Sequence, residues 1–400
     1  AEVMRPAHEV ADVLRAHWEH IDPSTEYNSW QKRTLRAIMN CRTSEMGGHI
    51  DSCDSCGHLS MSYNSCRNRH CPKCQGHERE QWIQARTGEL LPVKYFHVVF
   101  TLPDKLNGLC MAYPREMYDL LFSTSWQVIN TLSRDEKMLG ARTGMFSILH
   151  TWGQNLSLHP HLHCVVPAGG ITKTGTWKHT KSDGKFLFPV KAMSIIFRAK
   201  FVEGLRMLIK SKKWIVNKKF IESLFDKPWV VYAKQPFVDT HQVVEYLGRY
   251  THKIAISNHR LRSITIEGVS FTWKDYRHGD KKGVMTLAPH EFIRRFAQHI
   301  LPKGFVRIRH YGILSSTSKK ECLEIARQAL IEGYQRKSST QNQSKEPESA
   351  TSGASVLSAR VCPVCKQKSL RTILEFDRRG PPQDILACLT QRVPARPEQN

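Results

Sequence analysis

A chain of 400 residues, 40% of them hydrophobic, buries a full core without disulfide staples and divides into about two or three domains. Its 59 Lys and Arg against 36 Asp and Glu leave a net charge of +23, more than an ordinary solvated surface needs; this points to a polyanionic partner that gives up counterions on binding, although a ribosome-like or merely soluble basic protein also carries such charge. No apolar run reaches the roughly 18 residues of a membrane span, and the start Ala1-Glu2-Val3-Met4 lacks the basic-then-apolar layout of a secretory signal, so the expectation is an intracellular protein with no membrane partner.

In chain order, Val10, Val13, Leu14 and Trp18 recur at helical spacing within residues 1–40, until Asp22-Pro23 breaks the pattern. Six of the twelve cysteines, Cys41, Cys53, Cys56, Cys66, Cys71 and Cys74, then crowd into one short stretch. In a reducing compartment this argues for metal rather than disulfides, and a zinc-binding domain is expected over residues 41–90. Cys53-x-x-Cys56 and Cys71-x-x-Cys74 lie fourteen residues apart, close to the spacing of a four-cysteine zinc ribbon. Cys41, His49, Cys66 and His70 offer a second set of four ligands. Such closed sites are structural, and they would hold Arg67, Arg69 and Lys73 on a rigid loop suited to phosphate contacts.

Tyr95 to Leu102 is β-branched and aromatic and ends at Pro103-Asp104, so it reads as a buried strand opening a domain over residues 94–315. Residues 113–150 read as mainly helical, and Leu158 to Val166 as a second strand. Along that strand His159, His161 and His163 alternate at period two, which puts their imidazoles on one face. A pair of imidazoles chelates a divalent cation, and magnesium or manganese would need a further oxygen-bearing ligand, Gln154 or Gln242.

Helices follow over residues 190–226, a strand over Trp229 to Ala233, and a helix over about 240–253. On the last, Tyr246 and Tyr250 stand four apart and share a face with Gln242. A phenol, with an ordinary pKa near ~10, becomes a useful nucleophile beside a metal or cations, here Arg249, His252 and Lys253. Residues 262–288 alternate as a hairpin in which Phe271, Trp273, Lys274, Tyr276 and Arg277 interleave rings with cations, as single-strand-binding surfaces do; a half-buried strand with a charged outer face reads the same way. A helix over 290–300 precedes Arg307 and Arg309, which extend the basic character. The mixture of strands and helices gives an α+β fold. Residues 336–360 lack aromatics and read as a disordered linker, and 361–400 as a small tail module. Within it, Cys362-Pro363-Val364-Cys365 has only Cys388 after it as a further thiol, and the number of zinc ions is left between one and three.

Together these motifs resemble the bacterial rolling-circle transposases of the insertion-sequence-ninety-one family, within the HUH superfamily of single-strand endonucleases. The resemblance rests on Tyr63 to Cys74, on His159-Pro160-His161-Leu162-His163, on Tyr246 to Asn258 and on Arg307 to Gly312, and spans roughly residues 10–315. It implies an antiparallel sheet whose central strand carries His161 and His163, flanked by helices, one of which presents the nucleophiles Tyr246 and Tyr250. It also implies nicking and rejoining of single-stranded DNA at mobile-element ends and in target DNA, through 5′-phosphotyrosine intermediates, by a cytoplasmic, nucleoid-associated enzyme. No Walker-type phosphate loop occurs, so unwinding would fall to a host helicase and the replication machinery. A plasmid replication initiator or relaxase of the same chemistry, a hydrolytic nuclease, and a non-enzymatic zinc-dependent DNA-binding regulator are the rival readings.

Overall fold

The computed structural model describes residues 6–74, 88–234, 237, 242, 243, 248, 253–275, 281–338 and 360–383. The chain forms two compact units: residues 1–74 with 344–400, and residues 75–343. Along the sequence the second unit is therefore inserted into the first.

In the first unit, helices α1 (Val10–Ala16), α2 (Trp18–Ile21) and α3 (Ser29–Met39) bury Val10, Val13, Leu14, Leu35 and Ile38. The Asn28 side chain caps α3 by accepting from the Gln31 backbone N–H, and the Gln31 side chain returns the bond, which fixes where the helix starts. Strands β1 (Gly48–Cys53) and β2 (Leu59–Tyr63) form an antiparallel sheet with a strand from the far end of the chain, Leu370–Phe376, which pairs with β1.

The second unit is built on β3 (Tyr95–Thr101), α4 (Asn107–Ala112), α5 (Pro114–Arg134), β4 (Gly144–Trp152) and β5 (Leu158–Pro167). A small hairpin, β6 (Gly169–Ile171) and β7 (Trp177–His179), leads to α6 (Lys181–Gly184), α7 (Val190–Lys212), α8 (Lys218–Ser223) and β8 (Val231–Ala233). A three-stranded sheet follows, β9 (Leu261–Ile264), β10 (Val269–Asp275) and β11 (Lys281–Leu287), then α9 (Pro289–Ala297), β12 (Ile308–Gly312) and α10 (Lys319–Ser338). The main sheet has the order β12-β4-β5-β3-β8 with every pair antiparallel, so β5, the histidine strand, lies at its centre.

Alternation along the strands splits the sheet into two faces. Phe96, Val98 and Phe100 of β3, Leu149 of β4 and Leu162 and Cys164 of β5 share one core with Leu121 and Phe122 of α5 and Phe197 and Phe201 of α7. Tyr95, Phe146, Ile148 and Val165 point the other way and form a second core with Leu323, Ala326 and Leu330 of α10. His161 and His163 have the parity of Val165, so the imidazoles continue this second face beyond its apolar part.

Two expectations change. Residues 144–150, expected within a mainly helical stretch, belong to β4, a strand buried on both faces. Gly144 to Trp152 therefore shows no polar alternation, and its run of Met, Phe, Ile and Leu fits a buried helix equally well by periodicity. Helix α10 continues to Ser338, into the first residues of the expected linker.

Candidate functional site: an imidazole cluster and two thiol clusters

β4 brings a histidine to the histidine strand that the sequence reading did not name. His150 sits directly across from His161, and the ligand nitrogens of His150, His161 and His163 all lie within 4.8 Å of one another. The ring centroids are 5.5 Å apart for His150 and His161, 4.5 Å for His150 and His163, and 4.9 Å for His161 and His163.

A hydrogen bond sets the His161 tautomer. His161 Nδ1 lies 2.6 Å from the His159 carbonyl, which only accepts, so Nδ1 carries the proton and Nε2 keeps its lone pair. His97, from β3, meets His163 Nδ1 through its Nε2 at 2.9 Å with the two rings stacked. Burial lowers His161 to about 4 and drives His163 well below the usual range, with neighbouring imidazoles and Lys253 adding to both shifts. The rings are therefore neutral at pH 7, the form in which imidazole binds a metal.

The turn joining β4 to β5 is clamped so that this register holds. Arg260 donates to the Gln154 carbonyl, Arg295 to the Asn155 carbonyl at 3.1 Å, and Gln298 to the Leu156 carbonyl at 2.8 Å. His299 Nε2 donates to the same Leu156 carbonyl at 3.1 Å, while its Nδ1 accepts from the Thr151 hydroxyl at 3.0 Å. Burial holds His299 at about 4, so it keeps the single proton this double role requires.

Tyr246, Tyr250, Arg249 and Arg277 lie outside the described residues. On either side of the tyrosine segment, Val243 is fully buried in the core on the histidine-bearing face, and the Lys253 carbonyl accepts from Arg307 at 3.4 Å. Lys274 is half-buried on β10. Three of the cations expected at DNA are committed within the protein. Arg307 is buried, Arg309 stacks over Phe122 with its guanidinium carbon 4.2 Å from the ring centroid and pairs with Asp119, and Lys73 pairs with Glu9 at 2.8 Å. Arg67 is exposed and Arg69 half-buried.

The thiols divide differently from the ribbon expected from spacing. Cys71 and Cys74 join Cys41 and Cys66, whereas Cys53 and Cys56 meet Cys362 and Cys365. Within the first group Cys41 and Cys74 are 3.5 Å apart and Cys66 and Cys74 3.7 Å. A tetrahedral zinc with Zn–S near 2.3 Å has an edge of about 3.8 Å, so the first group is spaced for one ion. Arg42 and Arg67, each immediately after a cysteine, take left-handed φ values of 59° and 48°. Neither expected histidine ligand belongs to either group: His49 Nδ1 meets the Asn64 side-chain oxygen at 3.1 Å, and His70 is buried apart from both.

Comparison with known proteins places both regions. A family model described as "Transposase zinc-binding domain" matches residues 13–102, and one described as "Putative transposase" matches residues 144–322. The chain is 43% identical over 393 residues to "Putative transposase y4qJ" of Sinorhizobium fredii, covering 95% of this chain and 98% of that one. It is 29% identical over 310 residues to "Transposase for insertion sequence element IS801" of Pseudomonas savastanoi pv. phaseolicola, covering 75% and 74%. No solved structure matches the chain. Among the described residues no helix is long and apolar enough to cross a membrane.

Proposed function

Because the chain belongs to the insertion-sequence-ninety-one family of transposases, we propose that it nicks and rejoins single-stranded DNA at element ends with Tyr246 and Tyr250 as nucleophiles, at a divalent cation held by His150, His161 and His163. The observation that carries this reading is the three-imidazole cluster on the central strand and its neighbour, with the His161 proton held at Nδ1 by the His159 carbonyl. Such a cation supplies Lewis-acid polarisation of a phosphate oxygen. Three nitrogen donors favour manganese over magnesium. With His150 as the third ligand, the oxygen ligand expected at Gln154 or Gln242 is not required.

The chain's own groups do the rest. The Tyr246 or Tyr250 phenol gives up its proton to solvent as its oxygen attacks phosphorus, a P–O bond to tyrosine forms, and the P–O3′ bond breaks. The 3′-oxygen leaves and takes up a proton as a free hydroxyl. The link to the 5′-phosphate keeps the energy of the broken bond, so a later attack by a 3′-hydroxyl reseals DNA without ATP. Two nucleophiles allow one cut in donor DNA and a second in the transfer step. Val243, buried on the histidine-bearing face three residues before Tyr246, and Lys253, which adds to the lowering of His161, support placing this segment beside the cluster. Exposed Arg67, with Lys253 and Lys274, would contact phosphates, and duplex unwinding would come from a host helicase.

Zinc at Cys41, Cys66, Cys71 and Cys74 is the structural partner of this reading, a closed site with no coordination position left for chemistry. The test is His161→Ala on labelled single-stranded oligonucleotides carrying element ends, in manganese. Cleavage is lost while binding at fixed salt is retained. Parallel loss of cleavage, binding and the folded spectrum would contradict the assignment.

A further inference from the structure

We propose that Cys53, Cys56, Cys362 and Cys365 bind a second structural zinc ion, which fastens the carboxyl-terminal segment into the amino-terminal module. Cys362 and Cys365 lie far beyond residue 102, where the match to the zinc-binding family model ends. All four sulfurs lie within 4.8 Å of one another, with Cys53 3.6 Å from Cys365 and Cys56 3.7 Å from Cys362. Those separations are close to the edge of about 3.8 Å for tetrahedral zinc and far from the roughly 2.05 Å of a disulfide.

The two Cys-x-x-Cys segments share one backbone design. The Cys53 N–H donates to the His58 carbonyl at 2.9 Å, and the Gly57 N–H returns to the Cys53 carbonyl at 2.8 Å. Three hundred residues later the Cys362 N–H donates to the Gln367 carbonyl at 2.8 Å, and the Lys366 N–H to the Cys362 carbonyl at 3.0 Å. The residue after the second cysteine is left-handed in both, Gly57 at φ 69° and Lys366 at φ 61°. Glycine adopts that conformation freely, whereas a lysine does so at a cost. The same turn at both pairs faces two thiols inward from each side, the arrangement a four-thiolate site needs.

The surrounding sheet holds the two turns together. Cys53 ends β1 and pairs with Leu370 at the start of the closing strand, and the Asp54 N–H donates to the Ser369 carbonyl at 3.0 Å. Arg360 makes two bonds to the Asp51 carboxylate, at 2.7 and 2.6 Å, and the Thr372 hydroxyl adds a third at 2.8 Å. What this sheet lacks is apolar burial. In β2 no residue is buried, in the closing strand none is either, and Ile50 is the buried aliphatic of β1. A small sheet without its own core needs a staple, and a metal ion is the staple its four thiols fit. Four soft thiolates select zinc over magnesium or manganese, and the closed shell leaves no position for catalysis.

The proposal does not depend on tyrosine chemistry at the imidazole cluster, and its test reads metal rather than cleavage. Zinc per chain is measured by native mass spectrometry on the full-length protein and on Cys362→Ser/Cys365→Ser. The double variant is expected to carry one zinc ion fewer than the wild type, with the closing strand losing its amide-exchange protection. Equal zinc in the wild type and the double variant, or iron in place of zinc, would overturn it. Should the variant fail to fold, alkylation of the wild type decides: Cys53, Cys56, Cys362 and Cys365 resist iodoacetamide together and become reactive together on chelation. Ready alkylation of Cys362 and Cys365 in the zinc-loaded protein would overturn it equally.

Discussion

Replacing His150 by glutamine separates the two accounts of the proposed cation. The ring is 2% exposed and faces His161 across the β4–β5 register, so glutamine keeps most of the volume and removes the imidazole nitrogen from the cluster. Loss of an outer partner of a metal ligand costs about 10–100-fold in affinity. Loss of the donor itself should cost about 100-fold or more, roughly 2.7 kcal/mol. The assay is cleavage of a labelled single strand against manganese concentration, with the half-saturating concentration expected to rise about 100-fold and activity to recover at high manganese. Gln154→Ala is the companion variant, because the Gln154 contact that holds the turn is made through its backbone carbonyl and survives the substitution. It should leave the half-saturating concentration within about twofold. A shift in Gln154→Ala with none in His150→Gln would refute the three-imidazole assignment and restore the ligand set expected from sequence.

His97→Phe removes the 2.9 Å partner of His163 Nδ1 while keeping a ring in the stack; manganese affinity should fall about 10–100-fold with folding intact, as read from the same titration and from circular dichroism. His299, held at about 4 by burial against an ordinary 6.5, makes the second unit acid-sensitive. The unfolded chain takes up a proton that the fold refuses between those values, so stability is fully present above pH 6.5 and is lost as pH falls toward 4, by roughly 3 kcal/mol. Urea midpoints without divalent cation at pH 7, 5.5 and 4 should fall in that order, and a flat profile would contradict the burial argument. Gly312→Ala should destabilise by about 3 kcal/mol or more in urea unfolding: its φ is 61°, and an added Cβ would stand 2.2 Å from the Thr143 carbonyl and 2.6 Å from the Trp126 ring.

Signals local in sequence were legible, and signals made by strand pairing were not. The period-two histidines placed His161 and His163 on one face, and the β-branched run at Tyr95 marked a strand that is now next to them. His150 escaped because β4 is buried on both faces and its apolar run carries no period, so nothing aligned it with His161 until the sheet register did. The thiols show the same limit. Cys53-x-x-Cys56 and Cys71-x-x-Cys74 announce metal, but spacing does not choose partners, and the sheet gives Cys53 and Cys56 partners some 300 residues away. Among the basic residues, sequence gives charge but not commitment: Arg309 and Lys73 spend theirs on Asp119 and Glu9.

The central claim is a covalent tyrosine–DNA step, and one gel tests it most directly. Purified protein, Tyr246→Phe, Tyr250→Phe and the double variant are incubated with labelled single-stranded element ends in manganese and denatured. The account predicts a denaturation-resistant protein–DNA band in the wild type, an altered yield in each single variant and no band in the double variant, with a free 3′-hydroxyl on the released strand. Cleavage with no such band, or a band that survives in the double variant, would contradict it.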